Sequence, residues 1–448
     1  MHNVKLLAAA LLGAALTGAG AVLFVWADQG STQFGTSLWN SHPWAFFLLM
    51  PGALMLVLFL RDRVFPGTDG TGIPQTMAAL KLGPGEARDR LLSPRVAIGK
   101  ILLTIIGLFS CLSIGREGPS VQLGACMMHL VSKCGTFPRH LIERGLIMGG
   151  GAAGIAAAFN APIAGVIFAF EEIGRSFDKR NLGTILRTVI VACLVAMSLL
   201  GDYFFYGNFA PVVGAEEFLA VRPWVGVCII GVVGGALGGL FSRLLLRVMP
   251  WVTAQIRRSF WKVAIVIGLL SAILVAMSGG ATLNGGRDQA AAILATSSPE
   301  YLATLDVADA VRQVEINDTC GAAYPILRAG ASFLALVTGI PGGLFDPSFS
   351  VGAGLGKLTA PLFSGLGLSP LAVALLFIVA YFSGVVQSPI TSCVILVEMT
   401  GLVAFILPMA AAAVIAYEIS RRICPDALYE ALAKNFLKNS PLSPTKLG

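Results

Sequence analysis

Charge is what this sequence has least of. Only 12% of its 448 residues are Asp, Glu, Lys or Arg, against about 25% in a typical soluble domain. So few charges cannot furnish a solvated surface, and 56% of the residues are apolar. A soluble protein, an intrinsically disordered chain and a secreted disulfide scaffold are excluded together. Histidine is scarce as well: His2, His42, His129 and His140 form no HExxH or other ligand pair, which leaves a metal-dependent hydrolase without ligands. No metal site is expected. The eight cysteines (Cys111, Cys126, Cys134, Cys193, Cys228, Cys320, Cys393 and Cys424) show no CxxC spacing and read as small packing residues. The net charge of +7 suits the positive-inside bias of a membrane protein, so no nucleic-acid partner is expected.

What is present is long apolar sequence and glycine. The run Leu6–Trp26 exceeds the roughly 7–15 residues of a signal-peptide core and is long enough to span about 30 Å of hydrocarbon, so it reads as a retained first helix. Other candidate crossings fall near 44–60, 96–114, 146–170, 184–206, 224–248, 260–278, 322–339, 371–386 and 389–418. Lys and Arg cluster in alternate connections (Arg61/Arg63, Arg175/Lys179/Arg180, Arg243 to Lys262, Arg421/Arg422), whereas 27–43 and 201–221 contain none. The positive-inside rule then places both termini in the cytoplasm and 27–43 and 201–221 outside. Lipid is the expected surround.

A weak duplication runs through the chain. Gly115-Arg-Glu-Gly-Pro119-Ser-Val-Gln-Leu-Gly124 aligns with Gly343-Leu-Phe-Asp-Pro347-Ser-Phe-Ser-Val-Gly352 at an offset of 343 − 115 = 228. Asn160-Ala-Pro162-Ile163 and Glu171 match Gln387-Ser-Pro389-Ile390 and Glu398, where 389 − 162 = 227. The halves meet near residue 222, giving 1–222 as a first membrane half-repeat. The second, 223–448, ends in a short cytoplasmic helix. Repeated halves with Gly/Pro-interrupted apolar segments point to a transporter whose site lies where the repeats meet.

The prolines sit where such a site needs them. Gly70-Thr-Gly-Ile-Pro74 precedes Gln75–Leu82, Gly115–Pro119 precedes Ser120–Leu130, and Gly342–Pro347 precedes Ser348–Leu358. In each, a glycine loop leads to a proline suited to the first turn of a helix. Helices that begin inside the membrane turn unpaired N–H groups and a positive dipole end inward, where an anion can replace water. The run Gly149–Gly154 reads instead as helix packing.

Charges at membrane depth supply the second clue. Glu117 heads one of these helices, where a carboxylate can occupy the anion position or protonate and swing away. Glu171 and Glu172 end an apolar run beside the basic 175–180 loop. They read either as part of a proton path or as an interfacial pair balancing Arg175, Lys179 and Arg180. Lys100 and Arg116 either raise the local positive potential or neutralise nearby carboxylates and carbonyls.

These motifs resemble those of the chloride channel and transporter (CLC) family across essentially the whole chain. Gly70–Pro74 resembles the family's GSGIP, Gly115–Pro119 is its GREGP, and Gly343–Pro347 resembles its GxFxP. The resemblance implies an all-α polytopic membrane protein, with two inverted-topology repeats whose broken helices meet at a central anion site. It implies a homodimer in the plasma membrane (cell inner membrane). It further implies chloride held by the Thr71 hydroxyl, the Leu344 and Phe345 N–H groups and the Tyr429 hydroxyl. Glu117 is then the external gate and proton acceptor. Glu172 falls where the family's exchangers keep an internal proton-transfer glutamate, which favours proton-coupled Cl⁻/H⁺ exchange over a passive voltage- or pH-gated chloride channel. Chloride and protons are transported ions, with no cofactor, and no enzyme is expected: a glutamate-dependent protease wants EExxxR, and Arg175 comes one residue early. Thr71 replaces the usual serine, and Gln75 and Met77 stand where some relatives carry acids. Asp346 replaces a common alanine, either facing solvent or slowing anion access. Pro119 and Tyr429 follow the chloride-type rather than the fluoride-type pattern.

Overall fold

In hydrocarbon a chain must satisfy its backbone N–H and C=O groups internally, so long apolar runs become helices. The computed structural model describes residues 2–133, 139–176 and 179–438, which leaves Cys134 outside the described residues. The first half runs α1 (His2–Ser41), α2 (Phe46–Arg63), α3 (Ile73–Leu82), α4 (Glu86–Leu91), α5 (Pro94–Phe109), α6 (Glu117–Lys133), α7 (Arg139–Phe159), α8 (Pro162–Phe168) and α9 (Lys179–Leu200). There follow α10 (Arg222–Met277), α11 (Arg287–Thr296), α12 (Pro299–Leu302), α13 (Val307–Thr319), α14 (Tyr324–Val337) and α15 (Phe345–Phe363). The chain closes with α16 (Pro370–Val386), α17 (Pro389–Thr400), α18 (Ile406–Ile423) and α19 (Leu428–Lys438). Among the described residues six helices are long and apolar enough to cross a membrane, or seven if α13 and α14, bent by 80°, count as one crossing. This is a multi-pass, all-helical membrane protein.

Where helices break departs from the hydropathy reading. The stretch 146–170, expected as one crossing, is α7 and α8, split where Asn160 takes a φ of 53° and Pro162 opens the next helix. The stretch 389–418 splits into α17 and α18 behind Gly401, whose φ is 75°. Conversely 224–248 and 260–278 run together as α10, bent at Ser259 (φ −160°, ψ 83°). Hydropathy averages over a window and cannot register one residue that changes backbone direction.

The internal repeat has a structural reason. The Glu171 carboxylate accepts from the Ile390 and Thr391 N–H groups at the start of α17 (3.0 and 2.6 Å), and Glu398 accepts from Ile163 and Ala164 at the start of α8 (3.0 and 2.7 Å). Each half caps a helix start in the other, satisfying N–H groups that would otherwise lack partners. Glu171 thus serves as a helix cap. The run Gly149–Gly154 is packing, as expected: a Cβ on Gly154 would stand 2.9 Å from the Val121 nitrogen of α6.

Candidate functional site

Three loops converge at the centre because their backbones are tied together. The Gly115 N–H donates to the Gly343 carbonyl (2.8 Å) and the Gly343 N–H to Gly115 (2.5 Å), a two-residue antiparallel bridge between the halves. It sets the heads of α6 and α15 side by side. The third loop is tied in by the Gly70 N–H, which donates to Gly339 at 2.8 Å. The Lys100 ammonium, fully buried, donates to the Thr68 and Gly70 carbonyls at 2.8 Å each, so it serves the loop carbonyls. Gln75 locks the same loop, accepting from the Gly72 N–H at 3.1 Å and donating to the Asp69 carbonyl.

The helices behind these loops begin two or three residues before Gln75, Ser120 and Ser348: α3 at Ile73, α6 at Glu117 and α15 at Phe345. No N–H in a helix's first turn has an intrahelical acceptor, so proline fits at its second or third position as well as its first. Thr71 lies directly against the first turn of α6, where a Cβ on Gly118 would stand 2.9 Å from the Thr71 Cβ. Leu344 is the residue before α15. The Thr71 Oγ1 and the Tyr429 Oη are buried without a protein hydrogen-bond partner among the described residues, at a cost that a bound polar ligand would offset. A cavity of about 450 Å³, lined by Thr71, Pro74, Leu344, Arg61 and Arg257, opens onto this point. A second, of about 490 Å³, is lined by Asp28, Thr32, Phe205, Arg287, Asp288 and Arg312. The first contains the end of α2 distal to its junction with α1, the second the 27–43 side of that junction, so the two open on opposite faces.

Both glutamates singled out in the sequence are fully buried. Glu117 lies on the glycine bridge, its carboxyl packed where a Cβ on Gly343 or Gly115 would fall. No side-chain N–H or O–H among the described residues donates to it. Glu172 sits in a π-helical turn, Ala169–Ile173, that ends the α8 run. It accepts from the Ser388 hydroxyl and lies 3.6 Å from the Arg175 guanidinium. Arg175 in turn binds Glu430, and both line a cavity of about 800 Å³. Tyr429 stands within electrostatic reach of both glutamates. Asp346, for which the sequence left two positions open, is 1% exposed and faces the interior.

The family model described as voltage gated chloride channel matches residues 52–421. The chain belongs to that family. Among CLC relatives, the H(+)/Cl(−) exchange transporter ClcA of Yersinia pestis is 27% identical over 413 residues, covering 90% of this chain and 80% of that one. Chloride channel protein CLC-d of Arabidopsis thaliana is 27% identical over 443 residues, and the chain spans 55% of its length. A slow cyanobacterial Cl⁻/H⁺ antiporter superposes with a TM-score of 0.76 at 22% identity, covering 97% of this chain and 99% of that chain. A CLC-type fluoride/proton antiporter gives 0.75 at 22% identity over 96% of this chain and 98% of that chain. The CLC fold is thereby shown.

Some structural residues of the site escaped the sequence reading. Arg328 is fully buried and donates to the Thr282 and Asn284 carbonyls (3.1 and 2.5 Å), to the Ala281 carbonyl and to the Ser113 hydroxyl (3.2 Å). It clamps the turn after α10 to α14. A lone arginine in an apolar helix was the only available signal.

Proposed function

We propose that this protein exchanges chloride for protons across the membrane. Glu117 is the external gate and proton acceptor, and Glu172 the internal proton-transfer residue. Chloride is held by the Thr71 and Tyr429 hydroxyls and the N–H groups of Leu344 and Phe345 at the head of α15. The observation that carries the reading is a pair of fully buried acids that both lie within electrostatic reach of one unpartnered tyrosine hydroxyl. A carboxyl that packs against backbone glycines with no cation bound to it can leave when protonated. A carboxyl held by Ser388 and reached through Arg175 and Glu430 can pass a proton without moving. The two functions match exchange rather than simple conduction, in which an inner acid has no task. The names of the exchange transporters and antiporters it resembles agree with this reading.

The Lys/Arg distribution supports both termini in the cytoplasm and a place in the cell inner membrane. The exposed apolar side chains Ile163, Leu194, Ile390 and Leu407 offer a face to lipid or to the second subunit of a homodimer. The test is paired chloride and proton flux from reconstituted vesicles, wild type against Glu117→Ala. The variant is expected to keep chloride flux and lose proton coupling. Unchanged coupling in Glu117→Ala overturns the assignment of the gate.

A further inference from the structure

Asp346 has no place in the mechanism so far, yet it is buried beside the gate. The Gly115–Gly343 bridge dictates this: Glu117 stands two residues beyond one glycine and Asp346 three beyond the other, so both side chains leave the bridge at the heads of adjacent helices. The two buried carboxyl groups are close enough to act on each other directly. No side-chain donor reaches either Glu117 oxygen or the Asp346 Oδ1, and the backbone N–H that acts on the Glu117 carboxyl is its own. Two carboxylates cannot hydrogen-bond without a proton, and two adjacent buried negative charges without a donor are strongly disfavoured.

The surrounding charges lead to the same count. The groups around the pair are Arg116 at the head of α6, Asp28 of α1, Arg287 of α11, Tyr203 and Tyr206 of the 201–221 segment, and Tyr429 of α19. Arg116 lies 3.5 Å from Asp28 and stacks on the Phe205 ring. Arg287 stacks on Phe205 at 4.4 Å and donates to its carbonyl at 3.3 Å. Neither guanidinium hydrogen-bonds to Glu117 or Asp346 among the described residues. Asp288, next along α11, has its own partner in Arg312 at 3.7 Å. Two guanidinium groups thus face three carboxyls (Asp28, Glu117 and Asp346), and a single proton neutralises the set.

We propose that Glu117 and Asp346 share one proton as a carboxyl–carboxylate pair, so that Asp346 is the immediate proton donor and acceptor for the gate on its outer side. The pair carries one negative charge between two residues. When the shared proton moves onto Glu117, that side chain is free to leave its glycine seat, and Asp346 keeps the negative charge. Asp28, which lines the 490 Å³ cavity and senses Asp346, connects the pair to bulk water. The proposal rests on the reading of Glu117 as a gate but concerns a residue that reading does not use.

Infrared spectroscopy of the purified protein tests it without reference to transport. A pH-difference spectrum is expected to contain a protonated-carboxyl band that is lost in Glu117→Gln and that, in Asp346→Asn, changes frequency and titrates at more acid pH. Should Asp346→Asn not assemble, Asp346→Glu carries the same test, with the band retained at a shifted frequency. Transport supplies the second arm. Without the neighbouring negative charge, a protonated Glu117 is rarer at any given pH. The midpoint of chloride flux against pH is therefore expected to move toward acid by about one unit or more in Asp346→Asn. In a Glu117→Gln background the same substitution is expected to move nothing. A band unchanged in frequency and midpoint in Asp346→Asn, or an unshifted flux midpoint in a protein whose wild type remains proton-coupled, overturns the shared proton. A wild type that moves chloride without protons overturns the exchange reading instead, and the infrared result then stands separately.

Discussion

Glu117 and Glu172 are equally buried but held in different ways, and the difference suits the separate tasks proposed for them. Glu117 rests on backbone, against two glycines, and no lysine or arginine hydrogen-bonds to it. Glu172 is tethered to Ser388 and faces Arg175, which is itself bound to Glu430 of α19. A side chain without tethers exchanges positions cheaply, whereas one held in a polar network relays charge in place. In the proposed exchange, movement belongs to the first and fixed transfer to the second.

The comparison breaks most clearly by removing each acid in turn. If the proposed roles hold, Glu117→Ala takes away gate and proton acceptor together, so chloride flux is expected to persist with no proton component. Glu172→Gln removes only the relay, so proton flux is expected to fall to leak while the gate still closes on chloride. Vesicle recordings of both ions distinguish the two, and a Glu172→Gln protein that keeps its proton-to-chloride ratio defeats the relay assignment. A smaller effect is expected from Gly343→Ala. The new methyl would overlap the seat of the Glu117 carboxyl, and overlap of this kind costs about 1–3 kcal/mol. The carboxyl is then displaced in most molecules, lowering proton coupling without touching either acid. The smallest transport effects are expected at the reciprocal caps. Glu171→Ala and Glu398→Ala should each cost about 1–2 kcal/mol in stability, read as lowered Tm in detergent, with the coupling ratio unchanged. A loss of coupling in Glu171→Ala alone would return Glu171 to the proton path.

The same contrast marks what was legible in the sequence. Helix starts at the site were readable because glycine and proline act locally, through backbone freedom and a missing N–H, and the structure moves those starts by only two or three residues. Glu117 was readable because a charge in an apolar stretch is costly wherever it lies. Glu171 was not, since its cap partners Ile390 and Thr391 are 219 and 220 residues away. Lys100 had two open readings until the Thr68 and Gly70 carbonyls appeared beside it. Asp346 was visible as an unusual residue, but its neighbour was not. The bridge that brings it to Glu117 joins residues 115 and 343, and nothing in either local sequence encodes that pairing.

The central claim is that chloride and protons move together through one subunit's line of Glu117, Tyr429 and Glu172. Its most direct test is proton uptake by wild-type vesicles loaded with chloride and diluted into low chloride, with no initial pH difference. Outward chloride movement is predicted to drive protons inward against the gradient that builds, and to stop doing so when the chloride gradient is removed. Chloride efflux with no accompanying proton uptake would contradict the account.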